Sequence, residues 1–150
     1  MTVLTVRPVE STDAERWLQL RAQLWPESSE REHREEIATF FRGQSSEPAA
    51  VLVAESEGLL IGFAELSIRR VAEGCDTNRI AYLEGWFVTA AERRSGVGRA
   101  LVEAAERWGR SLGCTEFASD TAPTNIASIA AHTAVGFENA GTVLCFRKSL

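Results

Sequence analysis

The run Arg93-Arg94-Ser95-Gly96-Val97-Gly98-Arg99 carries the clearest chemistry in this chain. It follows the apolar Trp86-Phe87-Val88 and leads into a strongly helical pattern, so it must turn a strand into a helix. Two glycines two apart let the backbone turn tightly. They expose successive N–H groups at the positive end of a helix dipole, a nest for phosphate oxygens. Arg93, Arg94 and Arg99 add cations to the turn, with Ser95 and Val97 inside it, and a pyrophosphate-bearing cofactor is the expected occupant. Relief of loop strain alone also explains Gly96 and Gly98. A dinucleotide fingerprint would need a third glycine early in the chain, and a P-loop would need G-x-x-x-x-G-K-[ST]. Neither is present.

What remains, R-x-x-G-x-G, resembles the acyl-CoA pyrophosphate loop of the Gcn5-related N-acetyltransferase (GNAT) superfamily, on Arg93, Gly96 and Gly98. Downstream, Asn125-x-x-Ser128-x-x-x-His132-x-x-x-Gly136-Phe137 resembles that superfamily's N-x-x-A-x-x-x-Y-x-x-x-G-F, with His132 where tyrosine is usual. Asn125 also reads as an ordinary helix cap, and His132 as a partly exposed helical residue. At finer grain, Leu20-Arg21-x-Gln23-Leu24-Trp25-Pro26, Phe63-Ala64-Glu65-Leu66-Ser67-Ile68-Arg69, Gly74-Cys75-Asp76, Tyr82-Leu83-Glu84-Gly85 and Ala118-Ser119-Asp120-Thr121 occur in order. Together they are similar to the aminoglycoside 6′-N-acetyltransferases of that superfamily. The segment from Arg69 to Asn78 departs from the group in containing no aromatic residue to stack on a sugar ring.

The resemblance implies the GNAT fold and acetyl-CoA as co-substrate. It further implies transfer of the acetyl group to a primary amine of a small polycationic acceptor, the 6′-amine of an aminoglycoside, by direct attack in a ternary complex. Phe87 and Val88 would grip the pantetheine, with the Val88 N–H aimed at the thioester oxygen where charge develops, and Asn125 and His132 would touch the cofactor. An alkylammonium, which titrates near the roughly 10.4 of lysine, must lose a proton before attack, and a carboxylate is the expected acceptor. Glu84 is the first choice: a charge in mid-strand is costly without a task or a partner. Alternation puts it on the face of Tyr82, Trp86 and Val88, while an arginine partner would make it structural instead. Asp120 is the second choice, and also reads as a turn residue before Pro123. Glu73, Asp76 and Glu138 are candidates for holding further ammonium groups, Trp25 for an apolar wall, and His132 for assisting the leaving thiolate. Two alternatives stay open: a GNAT enzyme acting on a protein N-terminus, a lysine or a polyamine, and a CoA-binding sensor that catalyses nothing.

The elements that position these residues follow from composition and pattern. The chain has 150 residues, 45% hydrophobic and 25% charged, which predicts one acetyltransferase domain over 1–150. No apolar stretch approaches the roughly 20 residues that cross a bilayer, and the start does not read as a signal peptide. A net charge of −5 argues against a nucleic-acid partner and suits a cationic substrate. Cys75, Cys114 and Cys145, with only His33 and His132, have no zinc spacing; we expect no metal and reduced thiols in a cytoplasm.

Thr2 to Arg7 predicts a strand, and a Thr12–Glu15 capping box starts a helix that ends near Trp25-Pro26. Glu27 to Gly43 predicts a second helix. Ala49 to Glu55 and Leu59 to Ile68 form a hairpin about Gly58, and Ile80 to Val88 is a fourth strand. Gly96 to Leu112 is the strongest helix, closed by Gly113. Thr115 to Ser119 is a short strand, Asn125 to Gly136 a helix, and Thr142 to Lys148 a last strand. The expected architecture is an α/β (α+β) fold: a mixed, mostly antiparallel central sheet with a splayed parallel strand pair, flanked by helices. The last strand would offer an edge, predicting a homodimer by sheet extension or strand exchange.

Overall fold

The computed structural model describes residues 3–150; Thr2, the start of the expected first strand, lies outside them. The elements run β1 (Leu4–Pro8), α1 (Ala14–Leu24), α2 (Glu30–Phe41), β2 (Ala50–Ser56), β3 (Leu59–Arg69), β4 (Ile80–Val88), α3 (Val97–Ser111), β5 (Phe117–Ser119) and α4 (Ile126–Ala134). The sheet order is β1-β2-β3-β4-β5, antiparallel throughout except for the parallel pair β4 and β5. The mixed sheet and its flanking helices therefore match the expectation. No helix among the described residues is long and apolar enough to cross a membrane.

Each face of the sheet buries a different set of apolar side chains. On one face Val97, Leu101, Val102 and Ala105 of α3 meet Leu52, Ala54, Leu66 and Leu83, and Gly109 lets the helix approach: a Cβ there would lie 2.8 Å from that of Ala81. On the other face Trp17, Leu20 and Ile37 of α1 and α2 pack on Val53, Phe63 and Phe87. The capping box expected at Thr12–Glu15 does not form. Asp13 instead accepts from the Glu10 N–H and pairs with Arg7 at 2.8 Å. An unforeseen box, Ser29 with Glu32, starts α2.

Two features of β4 shape the site. The parallel pairing covers only Ala81, Tyr82 and Leu83, so Glu84 to Val88 run on beyond the end of β5, and the pair is open there. The antiparallel register also jumps: Glu65 faces Gly85 while Leu66 faces Leu83, leaving Glu84 as the extra residue of a bulge. Bulges re-aim side chains. Leu83, Trp86 and Val88 all pack toward α3, whereas Phe87 packs toward α1 and α2, and Gly85 backs onto Trp25. Simple alternation thus fails across Glu84, which does not share the face of Trp86 and Val88.

The strand expected at Thr142–Lys148 does not form. Phe137 packs on Phe117 and His132, with ring centres 5.3 and 5.2 Å apart. Beyond it the chain has no regular element, and Val143, Leu144 and Phe146 are 55%, 78% and 88% exposed. A strand exists by pairing, and no strand among the described residues pairs with this segment.

Candidate active site

The bulge turns Glu84 toward the α1 side, into a cavity of about 300 Å3. Five carboxylates, those of Glu27, Glu36, Glu47, Glu65 and Glu84, line it together with Arg21, Trp25 and His33. Such a cluster raises the local concentration of cations. Trp25 forms a wall: its indole lies against the backbone of Gly85, where a Cβ would come within 2.5 Å of the ring. The Arg21 guanidinium lies 5.0 Å from the centre of that ring, and His33 Nε2 meets the Trp25 carbonyl at 3.2 Å.

Glu84 is not free. Arg69 Nε and Nη2 donate to its two oxygens at 2.8 and 2.6 Å, and Ser67 Oγ donates to it as well. The Arg69 guanidinium lies over the Tyr82 ring, 3.6 Å from its centre. The Tyr82 hydroxyl in turn donates to Asp120; burial first, and then Asp120, push that phenol well above its usual range. Glu84 and Asp120, 36 positions apart in the chain, are therefore linked through Arg69 and Tyr82.

Beneath the cavity lies a charge that sequence reasoning left without a role. Glu65 is 2% exposed and accepts from Trp17 Nε1 at 3.0 Å and Arg21 Nε at 2.8 Å. Burial pushes its carboxyl up to about 7, against the opposing influence of Arg21 and Trp17. Arg21 also donates to Glu36 at 2.5 Å, while its Nη1 is buried without a partner among the described residues.

On the other side of β4 the groups are backbone. The Thr89 N–H donates to the Ile61 carbonyl at 2.8 Å. By the alternation of strand N–H groups, that of Val88 points away from β3, toward the side where β5 has ended. The turn into α3 then places Arg94 at φ 63 and Gly96 at φ 91, successive left-handed bends that point N–H groups outward at the helix start. Gly98 sits on the Trp86 indole, 3.1 Å from where a Cβ would be. Trp86 Nε1 is buried without a partner among the described residues.

The profile of the Acetyltransferase (GNAT) family matches residues 14–137. The chain belongs to the GNAT acetyltransferase family. It is 56% identical over 146 residues to the aminoglycoside N(6′)-acetyltransferase type 1 of Klebsiella aerogenes, covering 97% of this chain and 96% of that protein. Among solved structures it is similar to the aminoglycoside N-acetyltransferase AAC(6′)-Iy in complex with CoA, with a TM-score of 0.93 and 37% identity over 100% of this chain and 97% of that one. It is also similar to AAC(6′)-Iy in complex with the bisubstrate analogue CoA-S-monomethyl-acetylneamine, with a TM-score of 0.91 and 38% identity over 99% of each.

Within this GNAT fold the expected site residues are sorted unevenly. Trp25 and Glu84 line one cavity, and Asp120 joins them through Tyr82. Glu73 and Glu138 are exposed on two segments that touch where Gly74 meets Ala140. Asp76 lies elsewhere, with its N–H and that of Thr77 on the Glu116 carboxylate, just before β5 begins. Of the loop cations, Arg93 donates through Nε to the Val88 carbonyl at 2.9 Å and Arg99 through Nη2 to the Ala134 carbonyl at 2.7 Å, so both brace the loop and its neighbours. Ser95 Oγ bonds back to the Glu92 carbonyl, and Val97 is buried. Asn125 caps α4 through the Ser128 N–H at 3.1 Å. His132 Nδ1 meets the Ser128 carbonyl at 2.7 Å and so carries a hydrogen, while Nε2 lies 2.8 Å from Ser119 Oγ, whose hydroxyl also reaches the Leu83 carbonyl at 3.3 Å. Sequence reasoning gave no role to Arg69, Arg21 or Glu65. The available signal was a charge within an apolar stretch, as at Glu65 between Ala64 and Leu66.

Proposed function

We propose that this GNAT protein transfers the acetyl group of acetyl-CoA to the 6′-amine of an aminoglycoside, within one domain, by direct attack in a ternary complex. The observation that carries this reading is the cavity of five carboxylates at the point where β4 runs past β5. One side of that opening suits a polycation, and the other offers unpaired N–H groups. The name of the Klebsiella aerogenes relative and the bisubstrate complex of AAC(6′)-Iy support it.

Acetyl-CoA supplies an acyl thioester, and the residues present fit such a group. The left-handed turn through Arg94 and Gly96 offers N–H groups suited to phosphate oxygens, and the orphaned Trp86 Nε1 and the outward Val88 N–H offer donors along the strand. Gly98 and Asn125 would flank that path, Phe87 would contribute its backbone there, and Arg93, Arg94 and Arg99 would add positive charge. The Val88 N–H would stabilise oxyanion charge. Glu84 would accept the ammonium proton, directly or through water, with Asp120 as the second carboxylate. Trp25 would wall the acceptor and the cavity's Glu27 and Glu36 would take its further ammonium groups, whereas Glu73, Asp76 and Glu138 lie outside that lining. His132 would hold the Ser119 hydroxyl at the fork of β4 and β5, where a leaving group needs a proton.

A thiol-release assay with acetyl-CoA and a panel of amines tests this reading. Fast release with kanamycin and tobramycin, and none with the 6′-hydroxyl compound lividomycin, is the expected result. Release only with spermidine or peptides would move the acceptor to another amine, and acetyl-CoA binding with no release would favour a sensor.

We also propose a homodimer in the cytoplasm. The exposed Val143, Leu144 and Phe146 support the dimer, since an apolar arm of this kind calls for a partner. A monomer by light scattering at micromolar concentration would overturn it.

A further inference from the structure

Arg69 ends β3 with its guanidinium on the carboxylate read above as the proton acceptor. Its two-point grip on Glu84, at 2.8 and 2.6 Å, is the geometry that makes arginine–carboxylate pairs specific. Yet the pair is open to exchange. The Arg69 side chain keeps 35% of its surface and Glu84 keeps 17%, so solvent screens their attraction. A second carboxylate, Glu47, stands 3.7 Å from Arg69 Nε with its side chain 61% exposed. The Tyr82 ring under the guanidinium is a flat surface on which it can slide while keeping a cation–π contact.

A protonated amine presents what the guanidinium presents, a positive charge with N–H donors. Arg69 thus sits where an acceptor's ammonium must sit to give its proton to Glu84. We propose that Arg69 is a built-in competitor for the ammonium seat on Glu84, a cation that every acceptor must displace before its proton can pass to that carboxylate. The inference rests on the reading of Glu84 as the acceptor carboxylate. A monoamine exchanges one cation for another at Glu84 and loses its own hydration, so it gains little. A polycation brings further charges to Glu27 and Glu36 in the same cavity while Arg69 retreats to Glu47, so each carboxylate keeps a partner.

Steady-state kinetics of Arg69→Ala and Arg69→Lys test this with two acceptors that share the reacting group. One is kanamycin, and the other is the monoamine 6-amino-6-deoxyglucose. Arg69→Ala is expected to lower the KM of the monoamine about tenfold, the worth of one charge-assisted contact. The KM of kanamycin should fall by a similar factor, because both acceptors displace the same guanidinium. Arg69→Lys, which keeps a competing cation, should keep both KM values near wild type. Millimolar guanidinium chloride should raise the monoamine KM of Arg69→Ala back toward wild type, a response that a merely structural arginine would not give.

Unchanged KM values for both acceptors in Arg69→Ala would overturn the proposal. So would a collapse of kcat for both acceptors, which would make Arg69 an orienting group for Glu84. Glu84→Gln, assayed alongside, separates the two levels. If it retains full turnover, the reading of Glu84 itself fails and the competitor role falls with it.

Discussion

At the start of α3 the binding groups are main-chain N–H groups, aimed by a left-handed Gly96 and a helix that begins one residue later. Across the sheet, the cavity is walled by charged side chains whose partners lie far off in sequence: Trp17 and Arg21 reach Glu65 from 48 and 44 positions away. The loop works because local backbone conformation fixes where its dipoles point. The cavity works because packing forces unlike charges together in a space that water only partly reaches. A backbone site tolerates changes of side chain as long as the turn survives, whereas the buried Arg21–Glu65 pair at the cavity is sensitive to loss of either partner. Recognition of phosphate and recognition of an amine are therefore separable in this molecule.

Mutations can break that separation or sharpen it. The largest effect is expected at Glu84. Glu84→Gln should lower kcat about 100-fold or more, as loss of a general base does, while acetyl-CoA binding measured by calorimetry stays at wild type. Equal loss of both would mean that the two sides are one coupled site.

Next in size is Glu65→Gln, which removes one of the two carboxylates paired with the buried Arg21 and leaves Glu36 as the other. Above a pH of about 7, where wild type carries the ionised carboxylate, chemical denaturation should find the neutral variant no less stable than wild type. The same carboxyl predicts a pH slope. Burial raises it to about 7 in the fold against 4.5 for the exposed group, so between these values the native state binds the proton and the unfolded chain has released it. This contribution to stability is complete below 4.5 and lost as the pH rises to about 7. Wild type should carry that falling slope in its urea midpoints, and Glu65→Gln should not.

Gly85→Ala tests the cavity wall more gently. The new Cβ would stand 2.5 Å from Trp25, and overpacking of this kind costs about 1–3 kcal/mol. The KM of the acceptor should rise while that of acetyl-CoA does not. Gly96→Ala is the reciprocal test and the smallest. A left-handed alanine costs about 1–2 kcal/mol, so the KM of acetyl-CoA should rise about tenfold with the acceptor KM unchanged. A shift in the acceptor KM instead would show that the loop also shapes the cavity.

Much of the fold was legible along the chain. Alternation and the turn at Gly58 predict the β2–β3 hairpin, and a stripe of apolar residues predicts α3, because these signals depend on neighbours a few residues apart. The expected strand at Thr142–Lys148 has the right alternation but no pairing partner among the described residues, and pairing is what makes a strand. The phosphate turn was legible for the same reason as the helix, since Gly96, Gly98 and the helix start are contiguous.

The acceptor side was legible only as residue types. Glu84 is visible in the sequence as a misplaced charge, but its direction is not, because a one-residue bulge reverses the face of everything after it. Nor is its occupancy by Arg69, since two residues 15 positions apart meet only when β3 and β4 pair in one particular register. The sequence by itself determined the family, the order of elements and the backbone-made loop, all of which rest on local order. The tertiary structure alone decided which charges share a cavity, which are already paired and which way Glu84 points. Those depend on strand register and burial, quantities that no local stretch of residues contains.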